Sequence, residues 1–187
     1  MKYNTQKGFS MIEIVMVIVL IGVIGSLAAN ILFQGSDIYI SETNRQGFVS
    51  EARSSFWRMM REAQGQASPA DFSTSDQRNL SLKNSKGETI DFITDSEGKI
   101  NRKLNNGDPN LLSDVFSFSN SNGFSYLDKN FNIITPSQSN LSIEEAETVH
   151  LIKLELTFLK NSDRLSLSSY IYPYNFRFGK NMSYHNY

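Results

Sequence analysis

The stretch KGFSMIEIVMVIVLIGVIGSLAA, from Lys7 to Ala29, contains a single carboxylate, Glu13, in an otherwise apolar run. The 21 residues from Phe9 to Ala29, at ~1.5 Å rise per residue, reach roughly 31 Å as a helix, about one hydrocarbon core. Lys2 and Lys7 precede the tract and no opposing basic cluster follows closely. The positive-inside rule therefore puts the leader in the cytoplasm and everything beyond Ala29 outside. An acidic side chain in such a helix costs about 2.5–3.5 kcal/mol on insertion scales, so it is rarely kept without a partner or a task. An ordinary secretory signal, with Ser26–Ala28 as a small-x-small cleavage site before Ala29, leaves Glu13 unexplained. So does a plain signal anchor.

A cut between Gly8 and Phe9 would supply the partner. Phe9 would gain a free α-amine about one helical turn from Glu13, where amine and helix dipole both favour negative charge. In a packed array of helices, the same carboxylate can instead meet the amine of the adjacent subunit. Because an unpaired buried charge is heavily penalised, that pairing would fix axial register.

KGFSMIE, Lys7 to Glu13, resembles the class III prepilin signal of type IV pilins and type II secretion pseudopilins: basic leader, Gly, Phe, a short apolar run and Glu, then the hydrophobic stretch. The resemblance implies cleavage after Gly8 by a membrane-embedded prepilin peptidase and N-methylation of Phe9. A bulky side chain at position 8 would obstruct entry of the backbone into the protease cleft. It also implies assembly with other pilin or pseudopilin subunits through Glu13, and work with an inner-membrane assembly platform. The expected location is the inner membrane, single-pass, with a cytoplasmic N-terminus and a periplasmic C-terminal domain, and then a pilus or pseudopilus.

Beyond the membrane tract, Val49, Ala52, Phe56, Met60 and Ala63 recur at three- and four-residue spacing, predicting an amphipathic helix that ends near Gln66, before Pro69. Phe56 and Trp57 read as core, beside Met59 and Met60. Gly22, Gly25, Gly35 and Gly47 are positions for bending, local melting or, for the first two, close helix packing. From residue 67 short alternating runs take over. Glu88–Thr94 and Lys99–Leu104 predict one hairpin; Val115–Ser119 and Phe124–Asp128, around Ser121-Asn122-Gly123, predict another. His150, Ile152, Leu154, Leu156 and Phe158 share one strand face, and Asn161-Ser162-Asp163 turns into a strand carrying Leu165, Leu167 and Ile171. The expected fold is α+β: a long N-terminal helix packed on an antiparallel β-sheet, pilin-like. Its expected parts are leader 1–8, membrane or fibre-core helix 9–29, amphipathic helix 30–66 and β-rich head 67–187.

The order of these runs is similar to that of J-type minor pseudopilins and of certain minor pilins. Major pilins of the type IVa class usually carry a helix-breaking proline and a C-terminal disulfide loop. This chain has Asn30 near that proline's place and no cysteine, so the resemblance favours a minor subunit.

Composition and motifs narrow the alternatives. With 18 basic and 19 acidic residues interspersed, no footprint for nucleic acid stands out. The absence of cysteine removes disulfides, thiolate metal sites and cysteine nucleophiles. His150 and His185 make neither a triad nor a metal pair, and no Gly-rich phosphate loop, HExxH or GxSxG occurs. No enzyme activity and no cofactor are expected. Asn105–Asp114 and Ser142–Glu147 hold oxygen ligands without a calcium-loop pattern, and read as a polar turn and a short exposed helix. The Asn-x-Ser triplets at Asn79, Asn140 and Asn181 carry little information in a chain rich in both residues. Two rivals stand beside the fibre subunit: an envelope binding module presenting Tyr170, Tyr172, Tyr174 and Phe176, and an envelope enzyme with converging carboxylates.

Overall fold

A computed structural model describes residues 8–119 and 122–178. The leader residues before Gly8, Ser121 of the second expected hairpin, Asn181 and His185 lie outside the described residues. The chain divides into two compact units, Met1–Gln46 and Gly47–Tyr187. Helix α1, Met11–Gln64, supplies the described part of the first unit beyond Ser10 and continues into the second. None of Gly22, Gly25, Gly35 and Gly47 interrupts it. An isolated glycine costs a helix only ~1 kcal/mol, less than a long cooperative helix can absorb.

In the second unit, α1 buries Phe48, Ala52, Ser55, Phe56, Met59 and Ala63. Val49 and Met60, expected in the stripe, are half-buried at its margin. The stripe is turned because polar groups also face inward. Ser55 Oγ donates to the Leu112 carbonyl at 2.9 Å, and a Glu51 oxygen accepts from Ser113 Oγ at 2.9 Å and Asp114 N–H at 3.2 Å. Trp57 is not core: Phe56 is 5% exposed and Trp57 57%. Adjacent helical residues point ~100° apart, and the Phe48–Ala52–Phe56 row leaves position 57 on the outer face.

Two antiparallel four-stranded sheets stand where one was expected. The first is a meander, β1 (Asn79–Lys83), β2 (Thr89–Thr94), β3 (Ile100–Leu104) and β4 (Asn110–Ser113), in that spatial order. The β2–β3 hairpin matches expectation, with Ile90 opposite Leu104 and Thr94 opposite Ile100. β4 lies inside the stretch read as a polar turn. The outer edge of β1 is closed by side chains. Ser75 Oγ accepts from Ser81 N–H at 2.9 Å and donates to its carbonyl at 3.2 Å; Gln66 Oε1 accepts from Lys83 N–H at 2.7 Å. Both sealing residues are fully buried, which removes a template for foreign strands.

The second sheet runs β6-β5-β7-β8, with β5 Gly123–Leu127, β6 Ile133–Ile134, β7 Leu151–Lys160 and β8 Asp163–Ile171. The β7–β8 hairpin is as expected, Lys160 facing Asp163, and Ile152, Leu154, Leu156 and Phe158 are buried. The second expected hairpin does not form. Phe116 bridges Phe158, and β5 pairs Gly123–Leu127 with Leu151–Glu155. Val115–Ser117 and β5 therefore run in the same direction, end to end along one edge of β7, and cannot pair antiparallel with each other. Asn122 ties off the intervening loop, accepting from Ser119 N–H at 2.7 Å and donating to the Ser117 carbonyl at 2.6 Å. The Phe116 N–H bond to the Gly98 carbonyl, 2.9 Å, joins this segment to the β2–β3 turn of the first sheet. One apolar core contains side chains from α1 and from both sheets. The fold is α+β and pilin-like, a long helix against antiparallel sheets.

Candidate functional site

The motif residues gather at the first turn of α1. Gly8, Phe9 and Ser10 precede the helix, and all three are exposed. A Cβ added at Gly8 would meet nothing within 4 Å, so the chain's own packing does not require glycine there. Phe9 is 82% exposed.

Ser10 and Glu13 form a reciprocal cap that the sequence reading missed. Ser10 N–H donates to Glu13 Oε2 at 2.7 Å, and Ser10 Oγ–H donates to the same oxygen at 2.9 Å. Glu13 N–H in turn lies 3.1 Å from the Ser10 carbonyl and 3.4 Å from Ser10 Oγ. This is the Ser-x-x-Glu capping box, which satisfies orphan donors at a helix start and places a carboxylate at the positive end of the dipole. The signal was present as SMIE, Ser10 to Glu13. Glu13 therefore has neutral partners before any cut is made, where the sequence alone suggested a need for a positive group. Both donors converge on Oε2, which leaves Oε1 as an acceptor for a further donor such as an amine.

Behind this cap, α1 is long and apolar enough to cross a membrane; its most apolar 18-residue window has a mean hydropathy of 2.6 and is unburied.

The other candidates are scattered. His150 is half-buried with its ring 4.9 Å from Tyr172, edge-on, and its backbone N–H donates to the Leu127 carbonyl at 2.7 Å. The aromatics of the binding-module rival do not make one platform. Tyr172 and Phe176 are half-buried and pack edge to face at 6.4 Å, with Phe176 also against Phe72, whereas Tyr170 and Tyr174 are exposed. Among the described residues, no group of three His, Asp or Glu side chains could hold a metal. Asn105 and Asn106 adopt positive φ in the β3–β4 turn, and Ser142–Glu147 supplies helix α2, Ile143–Glu147, with its own Ser142/Glu145 capping box.

Residues 3–29 match the family model for the prokaryotic N-terminal methylation motif. That motif is the class III prepilin signal, so the N-terminal segment is similar to that of type IV pilin-like precursors, which prepilin peptidase processes. No curated protein and no solved structure matches the chain significantly.

Proposed function

We propose that this protein is a minor pilin or minor pseudopilin, a structural subunit that joins or primes the helical fibre of a type IV pilus or a type II secretion pseudopilus. The observation that carries this reading is the methylation motif seated on a capped apolar helix, with Gly8 and Phe9 exposed in front of the cap. Prepilin peptidase cuts after Gly8, whose missing side chain serves the protease rather than the fold, and Phe9 is then methylated. The leader 1–8 is left in the cytoplasm, 9–29 holds the subunit in the inner membrane, 30–66 continues the helix, and 67–187 is a periplasmic head.

On leaving the membrane the helix would exchange lipid for neighbouring helices. Glu13 Oε1 then accepts from the terminal amine of Phe9, on its own or an adjacent subunit, while Ser10 holds Oε2. Wrong staggers leave the carboxylate unpaired in an apolar fibre core and are disfavoured. The assembly platform and motor are separate proteins.

N-terminal mass analysis of the mature protein tests the reading. It predicts a chain beginning at methylated Phe9; a chain beginning at Ala29, or retaining Met1, would overturn it. Glu13→Val should still be processed but enter fibres poorly, and normal entry would remove the proposed role of the carboxylate.

A further inference from the structure

The outer face of α1 in the second unit carries an unusual group. Arg53, Trp57 and Arg61 are exposed and spaced i, i+4, i+8, so they form one row roughly 12 Å long on the helix surface. Trp57 is the only tryptophan in the chain, and over half of its surface faces solvent. Arg58, beside it, is held by Glu62 at 3.2 Å, but neither Arg53 nor Arg61 has an ion pair or hydrogen bond among the described residues. Tryptophan and arginine are the residue types that dominate binding hot spots, and here the aromatic stands between two unneutralised cations.

The same unit bears the complementary surface. Helix α2 exposes Ile143, 63% accessible, with Glu147 four residues on, along the same face, and Glu144 next in the chain and three residues before Glu147. Glu145 is occupied by its capping box and by Ser137 N–H, at 2.9 Å. Glu144 and Glu147 have no partner among the described residues. An apolar side chain beside two free carboxylates is thus opposite in charge to one that stands between two free guanidiniums.

We propose that the Arg53–Trp57–Arg61 face of one copy receives the Ile143–Glu144–Glu147 surface of a second copy of this chain. Trp57 packs on Ile143, and the two arginines meet the two glutamates. The two surfaces differ, so the contact is heterologous: each copy offers one face and accepts the other, and repetition builds an open array rather than a closed pair. The proposal rests on the reading of the chain as a fibre subunit, and gives that subunit a head-to-head contact that the methylation motif does not specify.

The chain's lack of cysteine permits a direct test in the full-length protein, in the cell envelope. Trp57→Cys and Ile143→Cys, singly and together, are oxidised, and Phe9 methylation is read by mass on the same samples. The double variant should give a ladder of cross-linked multimers of this chain, and each single variant none. In that background, Arg61→Glu should cut the ladder about fivefold, the effect of ~1 kcal/mol lost from a charged contact, and Glu147→Arg added to it should restore it. Methylated Phe9 without a ladder overturns the contact and leaves the pilin-like reading standing. A ladder with unprocessed Phe9 keeps the contact and overturns the processing. Cross-linking of Trp57→Cys to a different protein instead of this chain rejects the second copy as the occupant.

Discussion

Arg102 Nε donates to both oxygens of Glu62, at 3.1 and 3.0 Å, and so fastens the end of α1 to strand β3. Both side chains are largely buried, at 15% and 18% exposure, whereas the second partner of Glu62, Arg58, is 47% exposed. Arg102→Ala leaves the shielded Glu62 with only the exposed Arg58, at a cost below the roughly 3 kcal/mol of a fully unpaired buried charge; an exposed helical pair contributes about 0.5 kcal/mol or less. Arg102→Ala should therefore lower the thermal unfolding midpoint of the detergent-solubilised chain far more than Arg58→Ala. Equal shifts would mean that the interior pair is not what holds the helix to the sheet.

The Ser10–Glu13 cap predicts a graded series. Ser10→Ala removes the hydroxyl donor to Oε2 but retains the backbone donor, and loss of a helix cap of this kind costs about 1 kcal/mol. Phe9 should still be processed, fibre entry should fall less than in Glu13→Val, and Ser10→Thr should recover most of it. The amount of sheared fibre-associated protein, relative to total processed protein, is the measurement. A Ser10→Ala variant as defective as Glu13→Val would show that the carboxylate acts only through serine.

Periodicity made the elements legible, and pairing made the architecture less so. The β2–β3 and β7–β8 hairpins were readable because each joins alternating runs through a short turn, so contiguity alone decides the partner. Val115–Ser119 and Gly123–Leu127 satisfied the same pattern, yet each found more to bury beside the ten-residue β7 than against the other. That competition comes from a strand that begins at Leu151, well beyond both runs in the chain, and leaves no local mark. Trp57 was misjudged because composition favours burial, whereas the phase of the Phe48–Ala52–Phe56 row determines it. At the site, Gly8, Phe9 and Glu13 could be named from the motif, but Ser10 required recognising that SMIE is also a capping box.

Gly123 is needed for the path of the chain. Its φ is +123°, and an added Cβ would collide with the Gln77 carbonyl oxygen, a backbone atom. That contact lies where Phe124 N–H donates to the same carbonyl at 3.0 Å, so the oxygen cannot retreat without breaking the bond. Gly123→Ala should destabilise the head by about 2 kcal/mol or more from strain alone. Gly22→Ala, within a helix and with nothing near its Cβ, should be neutral or slightly stabilising. Limited proteolysis of the two full-length variants should separate them, with rapid cleavage of the head only in Gly123→Ala.

Tyr126 predicts a dependence on alkaline pH. Its ring is buried against Phe72 at 5.6 Å, and its hydroxyl reaches the carbonyls of Asp76 and Asn79 at 3.2 and 3.3 Å. Burial pushes the phenol's pKa well above its ordinary value of 10.0, so the native state keeps a proton that the unfolded chain loses. Stability from this group is fully present below pH 10 and declines above it, by about 1.4 kcal/mol per pH unit. Tyr126→Phe loses a buried hydrogen bond worth about 1 kcal/mol at neutral pH but has no proton to give up. The variant should thus be less stable than the parent at pH 7 and match or exceed it near pH 11. Every other side chain is common to the two proteins, so its contribution drops out of the difference. Denaturant midpoints for the two full-length chains across that range provide the check, and parallel curves would show that the Tyr126 phenol ionises as readily folded as unfolded.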